Sequence, residues 1–226
     1  MCYNKNVSLI TFVILVASAI FLIWRNYEND RWFSILFVLA GIMQLLEYFM
    51  WIDPQCGRIN HWASVFALIL LLLQPIGLML GGYFLGKFKF DRRKLLPIVI
   101  FYCILFGLAI IFNLIKSRKV KLCSIAKCKH LNWDLKIIDN WFFRGVLFIF
   151  YFLSFILIFI SYPRNYGISL GSMYLITLFL SVMISKNSTW KSLWCWMVNF
   201  IPIIYIIITY SLRKKIDKNS NNLSTK

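Results

Sequence analysis

Long apolar segments alternate with short polar segments along the 226 residues of the chain. Seven of the apolar segments are each about twenty residues long, and a helix of that length crosses a hydrocarbon layer about 30 Å thick. The pattern therefore predicts an all-α, polytopic integral membrane protein, with one bundle of about seven transmembrane helices over residues 1–212. The predicted spans are 7–24, 32–52, 62–86, 95–115, 146–162, 166–184 and 192–212.

The positions of the nine tryptophans support these span boundaries. An indole ring is apolar but its N–H needs a hydrogen-bond partner, so tryptophan favours the headgroup level of a membrane. None of the nine lies in the middle of a predicted span. Seven lie within a few residues of a predicted span end: Trp24, Trp32, Trp51, Trp62, Trp190, Trp194 and Trp196.

The first predicted span also has some features of a signal peptide. Lys5 precedes its apolar run, and Ala17-Ser18-Ala19 resembles a cleavage site. The apolar run continues to Trp24, which is longer than a signal-peptide core. We therefore expect a retained transmembrane helix.

Two segments outside the predicted spans have patterns of their own. In the loop before the fifth span, Trp133, Ile137, Ile138, Trp141 and Phe142 share one helical face. This amphipathic pattern predicts an interfacial helix at 131–143, and the alternative is an ordinary loop packed on the bundle. The tail 213–226 is basic and rich in Asn and Ser, which predicts disorder.

Charge adds information about partners. The formal net charge is +17, while 61% of the residues are hydrophobic and the mean hydropathy is +0.74. The basic residues lie in the loops and tail beside the predicted spans, where Lys and Arg meet lipid headgroups. We therefore expect the lipid bilayer as the partner and no nucleic acid. The sequence does not indicate an oligomeric state.

The cysteines bear on orientation, because the two sides of the predicted bundle have nearly equal numbers of Lys and Arg. Cys2, Cys56, Cys123 and Cys128 all fall on one side of a seven-span bundle. An even number of cysteines on one side indicates an oxidising compartment, and at least one disulfide among these four. The glycosylation sequons at Asn6 and Asn187 fall on the same side. We predict the N-terminus outside and the C-terminus in the cytoplasm.

Polar side chains within the spans are the candidates for a site. Glu47 is the one acidic residue inside a predicted span, and Gln44 lies one helical turn before it on the same face. Gln74 precedes Pro75 in the middle of the third span, and Asn199 lies in the seventh. An acid within a membrane indicates a proton, ion or substrate contact, or else a hydrogen bond that packs helices. Both interpretations of Glu47 and Gln74 stay open.

Other polar residues have simpler interpretations. Asp53 and Asn60 flank a turn between the second and third spans, so turn and helix-cap roles are expected. Cys123, Cys128 and His130 are three candidate zinc ligands where a structural site normally needs four. We expect no metal, no cofactor and no catalytic residues, and the sequence favours a protein that is not an enzyme.

Three segments carry a resemblance to a known family. They are Glu47-Tyr48-Phe49-Met50-Trp51-Ile52-Asp53 with Cys56 and Asn60 after it, Gln74-Pro75, and Ser192-Leu193-Trp194-Cys195-Trp196. The chain resembles a family of uncharacterised multi-pass membrane proteins encoded by large DNA viruses of protists. The resemblance implies a viral origin and a multi-pass membrane fold, and it implies no activity.

Transport or conduction of a small polar solute or ion is the leading functional hypothesis. It predicts that Glu47, Gln74 and Asn199 converge on a wet cavity. A seven-helix receptor or scaffold would instead have a pocket open to the outer face. A membrane-embedded lipid enzyme is a third hypothesis, and it would need a nucleophile beside a base.

Overall fold

The computed structural model describes residues 4–89, 91–117, 122–127, 130–133, 141–184 and 190–224. Within these ranges the chain is helical apart from one short antiparallel ribbon, which confirms the predicted helical class. The elements are α1 (Lys5–Arg25), α2 (Asp30–Ile52), α3 (Arg58–Leu85), α4 (Leu96–Ser117), β1 (Ile125–Lys127), β2 (His130–Asn132), α5 (Trp141–Phe159), α6 (Arg164–Ile184), α7 (Trp190–Met197) and α8 (Ile201–Ser224). Turns of 3-10 helix at Arg92–Leu95 and Val198–Phe200 lead into α4 and α8.

Five of the described helices are long and apolar enough to cross a membrane. They are Lys5–Arg25, Asp30–Ile52, Arg58–Leu85, Arg93–Ile111 and Arg164–Ile184. These helices correspond to the first, second, third, fourth and sixth predicted spans. The predicted fifth span, 146–162, overlaps α5, which begins and ends a few residues earlier.

The predicted seventh span, 192–212, is not one continuous α-helix. Its first part lies in α7, and the 3-10 turn Val198–Phe200 separates α7 from α8. Pro202 is the second residue of α8 and has no N–H to donate to a carbonyl of the preceding turn. Proline is well tolerated only in the first turn of a helix, so a new helix begins here.

The structure differs from two further predictions. In the predicted interfacial helix 131–143, Leu131 and Asn132 lie in strand β2 and residues 141–143 open α5. Residues 134–140 lie outside the described residues. The tail 213–226 was expected to be disordered, but α8 continues to Ser224. No glycine or proline lies between Ile203 and Ser224 to end the helix.

Helix α1 forms an antiparallel hairpin with α2 and has an asparagine cap at each of its own ends. The Asn4 side chain accepts a hydrogen bond from the Val7 N–H at 3.1 Å, which caps the start of α1. At the other end Asn26 has a φ of 48°, and its N–H donates to the Leu22 carbonyl at 2.9 Å. Asparagine tolerates this left-handed conformation, so the chain turns back into α2.

Helix α3 packs closely on α2 because glycines replace larger side chains at the contact. A Cβ atom added to Gly81 would lie 2.9 Å from the side chains of both Trp32 and Ile35. The Trp32 indole N–H donates to the Leu78 carbonyl at 2.8 Å, so a fully buried ring is also hydrogen-bonded. This contact fixes α3 against the first turn of α2.

The bundle has two polar ends on opposite sides. We name them after one buried residue at each. At the Asp30 end, α1 and α3 end while α2 and α4 begin. At the Asn60 end, α2 ends and α3 begins, and the β1–β2 ribbon lies there. The 23 residues of α2 separate the two ends by about 34 Å.

Candidate functional site

Three contacts fix the register of α1 against α2. Arg25 pairs with Asp30, Leu15 packs against Gly41, and the Thr11 hydroxyl donates to Gln44 Oε1 at 2.9 Å. Because the two helices are antiparallel, residues with lower numbers in α1 lie opposite residues with higher numbers in α2. Ser8 of α1 therefore lies at the level of Glu47 of α2.

The α1–α2 interface is polar on the side of the Asn60 end. We call Ser8, Thr11, Gln44 and Glu47 the polar seam. Ser8, Gln44 and Glu47 have no exposed surface, and Thr11 is 6% exposed. The Ser8 hydroxyl has no hydrogen-bond partner among the described residues. The seam thus combines hydroxyl, amide and carboxyl groups, which can bind a polar solute or a cation or exchange a proton.

Besides Gln44, the buried neighbours of Glu47 along α2 are apolar. Met43 and Met50 are one turn away on either side of it, and both are buried. They pack in a cluster that also contains Ala63, Ala67 and Leu70 of α3 and Leu131 and Trp133 beside the ribbon. The Glu47 side chain is therefore enclosed by protein rather than exposed at the surface of the bundle.

Gln74 belongs to a contact between α3 and α5. The Tyr151 hydroxyl of α5 lies 2.8 Å from both Gln74 Oε1 and the Leu71 carbonyl oxygen. Pro75 has no N–H, so the carbonyl four residues earlier, that of Leu71, lacks its usual helical donor. Tyr151 supplies the missing donor from another helix. This geometry favours the packing interpretation of Gln74, and Tyr151 is a residue that the sequence reasoning did not find.

Asn199 does not join Glu47 or Gln74 through a hydrogen bond. It lies in the 3-10 turn before α8 and is 3% exposed. Neither its amide nitrogen nor its amide oxygen has a hydrogen-bond partner among the described residues. The structure therefore links Thr11 to Gln44 and Gln74 to Tyr151, while Asn199 is a separate buried polar group.

At the Asn60 end, Asp53 is a cap residue, as expected. Its carboxylate accepts hydrogen bonds from the Gly57 N–H at 2.9 Å and the Asn60 N–H at 3.2 Å. These two N–H groups belong to the start of α3, where the helix itself supplies no acceptor. The Asp53 carboxylate therefore joins the end of α2 to the start of α3.

Asn60 does more than cap a helix. Its amide oxygen accepts from the Ser124 N–H at 2.9 Å, and its amide nitrogen donates to the Ser124 carbonyl, also at 2.9 Å. The same nitrogen lies within hydrogen-bond distance of the Met50 and Asp53 carbonyls, at 3.2 and 3.0 Å. A fully buried side chain thus pairs with the backbone of a segment that follows α4.

Two further contacts fasten the same segment. The Leu122 N–H donates to His61 Nδ1 at 3.1 Å, and Cys56 forms a disulfide with Cys123, with 5.4 Å between their Cα atoms. We call the three contacts made by Cys56, Asn60 and His61 the Asn60 clamp. Cys2 and Cys128, the other two candidate cysteines, lie outside the described residues. No group of three or more His, Cys, Asp or Glu that could hold a metal ion occurs in the described part of the chain.

The Asp30 end is built around a buried ion pair. Arg25 donates through Nε and Nη2 to the two carboxylate oxygens of Asp30, both at 2.7 Å. The Tyr27 N–H donates to the same carboxylate at 3.0 Å, and the Tyr205 hydroxyl of α8 lies 3.4 Å from it. The Asp30 side chain is 1% exposed and that of Arg25 16%. Sequence reasoning missed this pair, although Arg25 and Asp30 flank a short polar turn between two apolar runs.

Asn29 connects three loops at the Asp30 end. Its side-chain oxygen accepts from the Lys87 N–H at 2.8 Å, and its side-chain nitrogen donates to the Tyr162 carbonyl at 2.9 Å. The Tyr162 N–H in turn donates to the Lys87 carbonyl at 2.7 Å. The loops after α3 and after α5 are therefore tied to the turn between α1 and α2.

Comparison with protein-family models, curated proteins and solved structures gives no match for this chain. The resemblance to viral multi-pass membrane proteins stays a prediction.

Proposed function

We propose that the chain is a multi-pass integral membrane protein with about seven spans, which transports or conducts a small polar solute or ion. The observation that carries this proposal is the complete burial of Glu47 in the polar seam, inside a helix long enough to cross a membrane. The seam provides a set of buried polar groups in helices that are otherwise mostly apolar. A small polar species is the class of ligand that such groups bind.

The energetics support a specific role for this residue. An acidic residue at the centre of a membrane helix costs about 2.5 to 3.5 kcal/mol on insertion scales, and Glu47, which lies five residues before the end of α2, bears part of that cost. A helix interface can be packed without that cost by using apolar or small residues. A buried glutamate in this position is therefore a functional-site hypothesis by default.

The proposed orientation places the N-terminus outside and the C-terminus in the cytoplasm. The Cys56–Cys123 disulfide supports this orientation, because disulfides persist in oxidising compartments and are rare in the cytosol. In this orientation the Asn60 end faces outward and the Asp30 end faces the cytoplasm.

The experiment compares two variants of the full chain in proteoliposomes. Glu47→Gln removes the titratable group from the seam, whereas Glu28→Gln makes the same chemical change in the turn between α1 and α2, at a side chain that is 23% exposed. We expect cation- or proton-coupled flux in the parent protein and in Glu28→Gln, and a loss of at least tenfold in Glu47→Gln. Thermal unfolding in detergent should be similar for all three proteins.

The alternative is that the seam only packs α1 against α2. In that case Glu47→Gln would keep the hydrogen-bonding capacity and leave any flux unchanged. Absence of flux from the parent protein for every small ion and polar solute tested would contradict transport and favour a receptor or scaffold.

A further inference from the structure

The described surface of the Asp30 end is strongly basic. Seven cationic side chains are exposed there: Arg31, Lys87, Lys89, Arg93, Lys94, Arg164 and Arg213. The acidic groups described at this end already have partners. Glu28 pairs with Lys87 at 3.1 Å, the Asp91 carboxylate accepts from the Arg93 N–H at 3.0 Å, and Asp30 is paired with Arg25.

We propose that this basic surface is a docking surface for the headgroups of anionic phospholipids. The proposal requires that the bundle lies in a membrane, and it does not depend on transport.

The cations come from separate loops that the fold ties to one place. Asn29 and the hydrogen bond from Tyr162 to Lys87 bring the loop after α3 against the loop after α5. The Lys89 ammonium lies 4.9 Å from the centre of the Tyr162 ring, and Arg164 follows Tyr162 by two residues. Lys89 and Arg164 therefore extend from two loops that share one anchoring point.

These cations also lie at the level of the ends of the apolar helices. Large apolar or aromatic side chains next to them are exposed: Trp24 by 80%, Phe84 by 67% and Tyr210 by 69%. Aromatic rings followed by cations are the arrangement found at a membrane interface, where rings meet the headgroup level and cations meet phosphate.

A lipid fits this surface better than a free anion does. A free phosphate would use the charges alone, whereas a phospholipid also covers the apolar helix faces directly beside them with its acyl chains. Each basic residue near an anionic membrane surface adds about 1 kcal/mol, which is roughly a fivefold gain in affinity. Anionic lipids are enriched in the cytoplasmic leaflet, which matches the proposed orientation of this end.

The test measures lipids retained by the purified full chain in detergent. Native mass spectrometry counts bound phosphatidylserine and phosphatidylcholine during titration with each lipid. The variant Lys89→Gln/Arg164→Gln removes two charges at the Asp30 end, and Lys5→Gln/Arg58→Gln removes two exposed charges at the Asn60 end. We expect the parent protein to bind phosphatidylserine in preference to phosphatidylcholine. The affinity for phosphatidylserine should fall about 25-fold in the first variant, at roughly fivefold for each of its two charges, and should be unchanged in the second.

Several outcomes would overturn the proposal. Equal retention of the two lipids by the parent protein would exclude recognition of the anionic headgroup. An equal loss in both variants would show that net charge acts without a specific surface. Displacement of the lipid by millimolar inorganic phosphate would show that the surface binds phosphate itself. The variant Lys89→Arg/Arg164→Lys should retain phosphatidylserine, and its failure to do so at unchanged thermal stability would also argue against the surface.

Discussion

The two polar ends of the bundle fasten the chain by different chemistry. The Asn60 clamp uses a disulfide and hydrogen bonds between a neutral amide and a peptide group. The Asp30 end uses a bidentate ion pair whose carboxylate has 1% of its surface exposed. The Asn60 end is thus fastened by a covalent bond and uncharged groups. The Asp30 end is fastened by a pair of opposite charges that is largely shielded from solvent.

The chemistry of the two ends differs because the two ends fasten different kinds of structure. The Asn60 clamp fastens a segment with two strands of three residues each, and a lone two-stranded ribbon is marginally stable. At the Asp30 end the ion pair joins helices that already share an apolar interface, with Leu22 and Phe33 buried beside it. The covalent constraint on the chain therefore lies where regular structure and helix packing contribute least.

Breaking the ion pair at the Asp30 end should have the largest effect. Arg25→Met leaves the Asp30 carboxylate buried without its partner, which typically costs about 3 to 5 kcal/mol in stability. Lys87→Met removes the exposed pair with Glu28 and should cost at most about 1 kcal/mol. Thermal or denaturant unfolding in detergent measures both. Equal effects of the two substitutions would contradict the buried character of the Asp30 pair.

A control separates the lost charge pair from lost packing. In the double variant Arg25→Met/Asp30→Leu no buried charge is left behind, so we expect it to be more stable than Arg25→Met alone. If the double variant is less stable than the single one, the ion pair is needed for the geometry of the turn itself.

Opening the disulfide should have the next largest effect, and it should be confined to the Asn60 end. Cys56→Ser is expected to destabilise the protein by about 2 to 4 kcal/mol, because the disulfide closes a loop between two cysteines that are 67 positions apart in the chain. A reductant should destabilise the parent protein by a similar amount and leave Cys56→Ser unaffected. Cys103→Ser, in α4, is the matched control with an unpaired thiol.

Hydrogen exchange localises the effect of the disulfide. Backbone amides of residues 122–127 should exchange faster in Cys56→Ser, while those of Asn29 and Asp30 should keep the parent rate. Uniformly faster exchange at both ends would show that the two ends are not independent.

The smallest expected effect concerns the attachment of α8 to the Asp30 end. Tyr205→Phe removes a hydroxyl that lies 3.4 Å from the Asp30 carboxylate, and we expect a loss of about 0.5 to 1.5 kcal/mol. Tyr210→Phe makes the same change on a side chain that is 69% exposed and should have no measurable effect. A loss above about 3 kcal/mol for Tyr205→Phe would place α8 among the main determinants of this end.

The sequence predicted the apolar helices well because their signal is local. A run of about twenty apolar residues has one favourable solution in a hydrocarbon layer, and its ends are marked by residues such as Asn4, Asp53 and Trp32. The break at Val198–Phe200 was missed because Asn199 and Pro202 lie inside a segment that is mostly apolar. The helical continuation of the tail was missed because composition alone does not decide between helix and coil.

The partners of polar side chains could not be predicted, because they depend on which helices become neighbours. Pro75 indicated a freed carbonyl, but nothing in the sequence specified Tyr151 as its donor. Four cysteines allow several pairings, and the choice of Cys56 with Cys123 depends on Asn60 and His61 holding the backbone next to Cys123. By contrast, the Arg25–Asp30 pair spans one short turn and was accessible to a search for opposite charges flanking it.

The position of the Cys56–Cys123 bond has a consequence for how the protein is made. In the proposed topology the two cysteines meet in an oxidising lumen only after α3 and α4 have each crossed the membrane, because those two helices separate them in the chain. A nascent chain in which one of the two failed to insert would leave its cysteines on opposite sides. Formation of the disulfide therefore indicates that both helices have inserted. Trapping the disulfide during translation would show at which chain length the insertion of this pair of helices is complete.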